Sequence, residues 1–361
     1  MKIHENKNWK ILNSPNYNFL FNKNTGFFAR WGKTKDEDPE YSPYGPEIAD
    51  IEISSANLED VKNSTSDMII TNGGCNGKFC KKFCYKLNTS DKTTHMSLDT
   101  FKKVLDRFNK NLTQIAFGLC DLNSHPQVWD IFKETNKRGF ASNVTINGQD
   151  ITDEQCKKLS LYCGAVAVSI NKGNKEEAYN TIKRLSQDNN MKQINIHIVL
   201  AEDTIPFIKE VIEDMKSDER LSSMNALVML SYKDKGKTGC YSPIKKESYR
   251  KLIEFCEEKQ IRFGFDSCSA PLYIKAIEDR NNKEELEQYA EPCESGMFSI
   301  YISCNAKIYQ CSFGEGIDEW KEGINILDYS SIIDIWHSPK MLEWRKKLLD
   351  NKRTCPIYNL G

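Results

Sequence analysis

The stretch "QIAFGLCDLNSHPQVWDIFKETNKRGFASNVTING", residues 114 to 148, decides the fold. A short apolar run, "QIAFGL", is followed by a helical segment, "PQVWDIFKETNKRG", and then by a second run, "ASNVTING". The same alternation continues downstream: "TDEQCKKLSLYCG" reads as helix, "AVAVSI" as strand, "KEEAYNTIKRLSQ" as helix, "QINIHIVL" as strand, "TIPFIKEVIEDMKS" as helix and "ALVMLSY" as strand. Upstream, "SLDTFKKVLDRF" sets Leu98, Phe101, Val104, Leu105 and Phe108 on one helical face, with Ser97 as N-cap. Strands that read as unbroken apolar runs between helices imply an α/β protein with a parallel sheet joined by right-handed crossovers. With "DIEIS" as the first strand there are about six βα units, short of the eight of a closed barrel. A partial (β/α)6 TIM-like barrel and a doubly wound open sheet share this signature, and both place ligands at the carboxyl ends of the strands.

Both flanks read differently. "YNFLFNKNTGFFARWG" has two aromatic-rich runs around an Asn-Thr-Gly turn, so residues 1–47 are expected to form a β-hairpin extension before the barrel of residues 48–260. After "KKESYRKLIEFCEEKQ" the pattern breaks into the short strands "IRFGFDS", "MFSIYIS" and "KIYQCSF" and a helical tail around "SPKMLEWRKKLLDN". Residues 261–361 are therefore expected to be a small β-rich module.

The 361 residues carry 50 Lys+Arg against 51 Asp+Glu, and this balance gives no nucleic-acid footprint. The N-terminus is polar and no run of about 18 apolar residues occurs, so the expectation is a cytoplasmic protein with no membrane partner. Thirteen cysteines in a long chain of this kind point to metal ligands or catalytic thiols more than to disulfides.

Three of them, Cys75, Cys80 and Cys84, fall in "GGCNGKFCKKFCYK". A structural zinc site takes four ligands, whereas three thiolates on a [4Fe–4S] cluster leave one iron open for a small molecule. A zinc site completed by a distant residue such as His95 is the alternative.

In this loop the sequence resembles the radical S-adenosylmethionine (SAM) enzymes. Their cluster cysteines are usually spaced by three and then two residues, and here by four and then three, but the aromatic before the last cysteine is kept as Phe83. The resemblance runs over roughly residues 48 to 238. "GLCDLNSHPQVW" stands where the superfamily has a Gly-Gly-Glu turn and a His-Pro, which implies SAM contacts at Leu119, Cys120 and Asp121, with His125-Pro126 in step. "TING" matches the Thr-Asn-Gly after strand 3 and implies Asn147, and Ser169 ends strand 4 at a polar SAM contact. Some twenty residues separate "DIEIS" from Cys75, so either the strand-1 loop carries an insertion or "DMIIT" is the first strand.

Cys268, Cys293, Cys311 and Cys355 resemble the SPASM or twitch auxiliary-cluster module, in its short form with one [4Fe–4S] cluster. The family has a glycine where Asn305-Ala306 stand, Cys304 competes for a ligand position, and a structural zinc is the alternative. Cys156, Cys163 and Cys256 read as core residues and Cys240 as a loop residue on the catalytic face. His197 reads either as a core histidine or as a lumen group, and Glu202 and Asp203 either as substrate contacts or as loop carboxylates.

The resemblance implies that Cys75, Cys80 and Cys84 hold a [4Fe–4S] cluster whose open iron binds SAM. Reductive cleavage would give a 5′-deoxyadenosyl radical that takes a hydrogen atom from the substrate. It implies a low-potential electron donor of flavodoxin or ferredoxin type and, by analogy, a ribosomally made peptide as substrate. A small-molecule or cofactor substrate is the second expectation, and a non-catalytic iron–sulfur or zinc protein the third.

Overall fold

A computed structural model describes residues 1–55, 95–119, 121–235, 237 and 239–360. Cys75, Cys80, Phe83, Cys84 and Cys120, the 55–74 insertion beyond residue 55 and the alternative first strand "DMIIT" lie outside the described residues.

The N-terminal sheet is an antiparallel meander of β1 (Lys2–Glu5), β2 (Trp9–Asn13), β3 (Asn18–Asn22) and β4 (Phe28–Trp31). The expected hairpin is β3–β4, and Gly26 takes the left-handed conformation its turn needs (φ 71°). Leu12, Tyr17, Phe19 and Phe21 form a core with Met297, Phe298 and Leu348, so the meander packs on C-terminal residues.

The main sheet begins with β5 (Ile48–Glu52), which overlaps the expected "DIEIS" at Asp50–Glu52 and starts two residues earlier. It continues through α1 (Leu98–Leu105), β6 (Gln114–Gly118), α2 (Val128–Lys137), β7 (Ala141–Ile146), α3 (Asp153–Tyr162) and β8 (Cys163–Ser169). Next come α4 (Lys175–Lys183), β9 (Ile194–Leu200), α5 (Ile205–Ser217), β10 (Ala226–Ser231) and α6 (Lys246–Glu258). Ser97 caps α1 as expected, its side chain accepting from the Thr100 amide. β5 to β10 pair in parallel and in chain order, the six strands of the expected partial barrel.

The strand in "IRFGFDS" is β11 (Phe263–Phe265), a seventh parallel strand on β10. α7 (Ala270–Ala276) and α8 (Lys283–Glu287) follow. β12 (Ser299–Ile302) then returns to pair in parallel with β5 on its free side, and β13 (Lys307–Tyr309) and β14 (Ile324–Asn325) extend it antiparallel. The ten-stranded sheet runs from β11 to β14 without closing on itself. α9 (Ile332–Trp336) and α10 (Pro339–Asp350) end the chain.

The strands differ from the expected unbroken apolar runs. Ala49, Ile51, Ile115, Phe117, Val144, Ile146, Ile196 and Ile198 are buried under the helices. Between them, Asp50, Gln114, Ala116, Asn143, Thr145 and His197 are only half-buried on the other face. Small and polar side chains there leave the barrel with a lumen, because a face filled with large aliphatics would have packed shut.

Candidate functional site

The carboxyl end of β5 is where the chain on either side of the three-cysteine stretch comes together. Ser54 and His95 form an isolated antiparallel bridge, Ile53 N–H donates to Gly118 O (2.9 Å) and Met96 N–H to Ile53 O (2.9 Å). His125, the histidine of the His-Pro, is buried here as a neutral Nε2–H tautomer. Its Nδ1 accepts from the Gln127 amide (3.0 Å), so its Nε2 donates to Met96 O (2.8 Å). Burial lowers its pKa in keeping with that state.

Three of the sequence-predicted SAM contacts converge beside it. Asp121 is buried and caps a short turn at Leu122–Ser124, its Oδ1 accepting from Asn123 N–H (2.7 Å). Its Oδ2 accepts from Asn147 Nδ2 (3.2 Å), joining the exits of β6 and β7. Asn174, which sequence reasoning missed, ties in the third: its Nδ2 donates to Asn147 O (2.7 Å) and Ser169 O (2.8 Å), and its Oδ1 accepts from Asn171 N–H (2.8 Å). Nothing in a lone Asn before a helix distinguishes such a clamp from an ordinary cap. Leu119 is a half-buried side chain packed on the core.

Within the lumen, His197 Nδ1 lies 3.5 Å from Thr145 Oγ1, and burial pushes the imidazole down to about 4, with Asp266 opposing the shift. Asp50 is pushed up to about 7, by burial first and Glu294 second. Glu202 and Asp203 serve the loop after β10. Glu202 accepts from Lys245 N–H (3.1 Å) and the Ser248 hydroxyl (2.6 Å), and Asp203 from Ser242 N–H (2.7 Å). That loop carries Cys240, which is half-buried.

Nine of the thirteen cysteines lie among the described residues. Cys156, Cys163 and Cys256 are core residues as expected, and burial raises each thiol, Cys156 to about 11 and Cys256 to about 12. Cys268, Cys293, Cys311 and Cys355 come from four separate points of the chain into one electrostatic neighbourhood. A hydrogen bond from Cys293 holds the Cys268 thiol low, and Lys233 adds to the effect. Cys311 is pushed up to about 11 by burial and by the charge of Cys268 and Cys355.

Backbone donors point at the sulfurs: Gly314 N–H reaches Cys311 Sγ (3.3 Å) and Tyr358 N–H reaches Cys355 Sγ (3.4 Å). Next to Cys311, Gln310 is fully buried, and neither of its amide atoms has a partner among the described residues. A Cβ on Gly314 would lie 2.0 Å from that amide nitrogen, so a larger residue there would displace the Gln310 amide. An orphaned buried amide one residue from Cys311 leaves a donor that a sulfur-rich cluster in this module would satisfy. Among the described residues, no three His, Cys, Asp or Glu side chains are drawn tightly enough to hold a single metal ion. A cubane asks for less, one cysteine on each iron.

Cys304 lies elsewhere in the hairpin. It is buried and its N–H donates to Glu52 Oε2 (3.4 Å) at the end of β5. Ala306 in the same turn has φ 62°, the left-handed conformation for which glycine is the usual choice.

A partial parallel barrel with a polar inner face, a polar cradle at its carboxyl end and a cysteine-bearing module beside it is the fold of the radical SAM enzymes, and the chain has that fold. Its likeness to particular proteins is strongest in structure. SuiB of Streptococcus suis bound to the precursor peptide SuiA superposes with a TM-score of 0.63 over 92% of this chain and 90% of that one, at 12% identity. SuiB bound to S-adenosylmethionine gives 0.64 over 95% and 90%, at 11% identity. The protein anSMEcpe, with bound AdoMet and Cp18Cys peptide, gives 0.57 over 83% of each chain, at 16% identity. In sequence, 82 residues are 37% identical to the tungsten-containing aldehyde ferredoxin oxidoreductase cofactor-modifying protein of Pyrococcus furiosus. That match spans 22% of this chain and less than a quarter (23%) of that protein's length. No protein-family model matches the sequence.

Proposed function

We propose that this protein is a radical SAM enzyme that modifies a peptide substrate. The observation that carries the reading is the convergence of Asp121, Asn147 and Ser169 at the exits of β6, β7 and β8, clamped by Asn174 beside the point where the chain bearing Cys75, Cys80 and Cys84 joins the barrel. Those cysteines would hold a [4Fe–4S] cluster with an open iron, and Cys268, Cys293, Cys311 and Cys355 an auxiliary one. Phe83, Leu119, Cys120, Asp121, Asn147 and Ser169 would contact SAM.

The bound cluster and SAM supply a one-electron reductive cleavage that ends in hydrogen-atom abstraction, with a flavodoxin or ferredoxin type protein as electron donor. The chain's own part is to bind and to exclude. Asp121 offers a carboxylate to the substrate ammonium of SAM, Asn147 and Ser169 fix the cradle, and the lumen around Thr145 and His197 holds the reacting C–H bond away from water. With its pKa near 4, His197 is neutral at physiological pH and so presents a hydrogen bond without charge. Residues 1–47, 48–260 and 261–361 would serve as extension, barrel and twitch-like auxiliary module. A long chain with thirteen cysteines and a polar N-terminus suits the cytoplasm.

The peptide assignment draws on SuiB and anSMEcpe, each seen with a peptide. The match to a cofactor-modifying protein favours a second reading, in which the substrate is a metalloenzyme cofactor. Anaerobic reconstitution should load about eight irons, as two cubanes require. Dithionite with SAM should then release 5′-deoxyadenosine from the native protein and none from Cys84→Ala. A purified protein that holds zinc and takes up no iron sinks the reading.

A further inference from the structure

The ten-stranded sheet ends at β11, and no strand among the described residues covers its outer edge. Leu227 N–H donates to Arg262 O (3.0 Å) and Asp266 N–H to Met229 O (3.1 Å). Alternate residues of a parallel strand bond to the same neighbour, so Arg262, Gly264 and Asp266 face β10 while Phe263 and Phe265 turn their N–H and C=O groups outward. No backbone partner among the described residues meets those four groups. The register also carries one row of the inner face from Ser169 through His197 and Val228 to Gly264. That row ends on open space, since a Cβ on Gly264 would meet nothing within 4 Å. Phe265 points the other way, its ring centre 4.5 Å from that of Tyr273 on α7.

A cavity of about 430 Å³ lies at this edge, bounded by β11, by Glu257 of α6 and Tyr273 of α7, and by Tyr289, Glu291 and Glu294. Its size is that of a ligand site. Glu294 shares Arg30 with Glu47, the residue before β5 (3.8 and 2.9 Å), so the far wall stands on the opposite flank of the open barrel. Residues 284–294, "EELEQYAEPCE", hold five glutamates and no Lys or Arg. Arg30 is divided among Glu47, Glu291 and Glu294, with Arg353 as a second cation at Glu291. Lys283 serves Glu287 (3.5 Å) and Arg280 serves Glu257 (2.6 Å). Glu284 and Glu285, both exposed, form no ion pair among the described residues. Tyr289, 72% exposed, adds a ring against which a long cationic side chain can lie.

We infer that this edge docks the peptide substrate: an extended, lysine- or arginine-bearing segment adds to β11 as a further strand and passes one side chain through the gap at Gly264 into the lumen. This rests on the reading that the substrate is a peptide. The outward groups of Phe263 and Phe265 supply backbone bonds that any sequence can use, and the carboxylates supply the preference for basic side chains. Side chains of a strand alternate between its faces. The peptide residue level with Gly264 therefore points toward His197, and its two neighbours turn to the helix side, where Glu257 and Tyr273 line the cavity. The same carboxylates disfavour a second copy on this edge, because like charges would face one another across the pair.

The test uses the full chain, reconstituted anaerobically, and two capped peptides, one of alternating Lys and Val and one of alternating Glu and Val. The Lys-Val peptide should slow amide hydrogen exchange at Phe263 and Phe265 by at least about tenfold and leave Gly264, already bonded to β10, unchanged. The Glu-Val peptide should slow neither. Glu284→Gln combined with Glu285→Gln should weaken Lys-Val binding and flatten its salt dependence. Gly264→Leu fills the gap and should raise the Kd by about tenfold or more. If Gly264→Leu does not fold, the exchange and glutamate measurements decide alone. No slowing at Phe263 and Phe265 in millimolar Lys-Val peptide, equal binding of the two peptides, or an unchanged Kd in either folded variant overturns the inference. So does protection of both amides in a dimer without peptide, which gives the edge to a second copy. Absence of 5′-deoxyadenosine from the native protein strikes the radical SAM reading instead, because docking needs no cleavage of SAM.

Discussion

Asp50 lies on the inner face of β5, in register with Ala116 on one side and Tyr301 on the other. Burial, with Glu294 as the second cause, lifts its carboxyl to about 7, while an unfolded Asp titrates near 3.9. Between those values the folded chain keeps a proton the unfolded chain has lost. The stabilisation from this proton is complete below about pH 4 and is lost as pH rises through about 7. Asp50→Asn keeps the shape and removes the ionisation. The variant should gain stability relative to the native protein from pH 4 to 7 and hold the gain above, by at most about 4 kcal/mol. Urea unfolding of both proteins between pH 4 and 8.5 checks this. Curves that stay parallel would mean that the lumen around Asp50 is as wet as bulk solvent.

At the level of elements, α4 docks against the turn between β7 and the cradle. Gly148 has φ 73°, and a Cβ there would lie 2.9 Å from both Ala178 Cα and Val168 Cγ1. The Thr181 hydroxyl also donates to Gly148 O (2.8 Å). Gly148→Ala should therefore cost about 2 kcal/mol or more through backbone strain and overlap. Because Asn147 precedes it, the same change should raise the KM for SAM in 5′-deoxyadenosine release; a destabilised variant with unaltered KM would detach Asn147 from the binding site. The "TING" glycine is thus a packing requirement as much as a turn. The helix and strand order from β5 to α6 was legible because period 3.6 and short apolar runs report burial under helices directly. The inner face was not, since one polar residue in a strand such as "INIHIVL" does not say whether the space beside it is filled. Order and spacing picked out Asp121, Asn147 and Ser169, and the fold does bring these three together at the strand exits. Asn174 was not legible, because its partners lie on other elements and its type is common in this Lys- and Asn-rich chain.

For the whole molecule, the chain after β11 closes the fold from the outside. β12 pairs with β5, and the Glu291 carboxylate joins Arg30 of β4 (3.1 Å) to Arg353 past α10 (2.5 Å). Arg30 lies 3.3 Å and Arg353 5.6 Å from the centre of the Phe298 ring, so a cation from each end of the chain covers the same aromatic. Arg353 also donates to Cys293 O (3.0 Å) and Pro292 O (2.7 Å), so the strap that carries Cys293 is bonded to the segment that carries Cys355. A cluster ligated by Cys268, Cys293, Cys311 and Cys355 would cross-link this region, and its binding free energy would add to local folding stability. The strands from β6 to β9 draw their stability from the helix-covered core and touch none of those sulfurs' segments in the sheet. Iron removal by a chelator should therefore speed amide hydrogen exchange over residues 291–296 and 351–358 by at least about tenfold, while β6 to β9 keep their protection. Changing Cys268 and Cys293 together to Ala should reproduce that pattern in reconstituted protein. If exchange rises evenly across the sheet, the module and the barrel unfold as one unit and the cluster braces both. If it does not change anywhere, the four cysteines carry no structural metal, and any cluster there serves electron transfer alone.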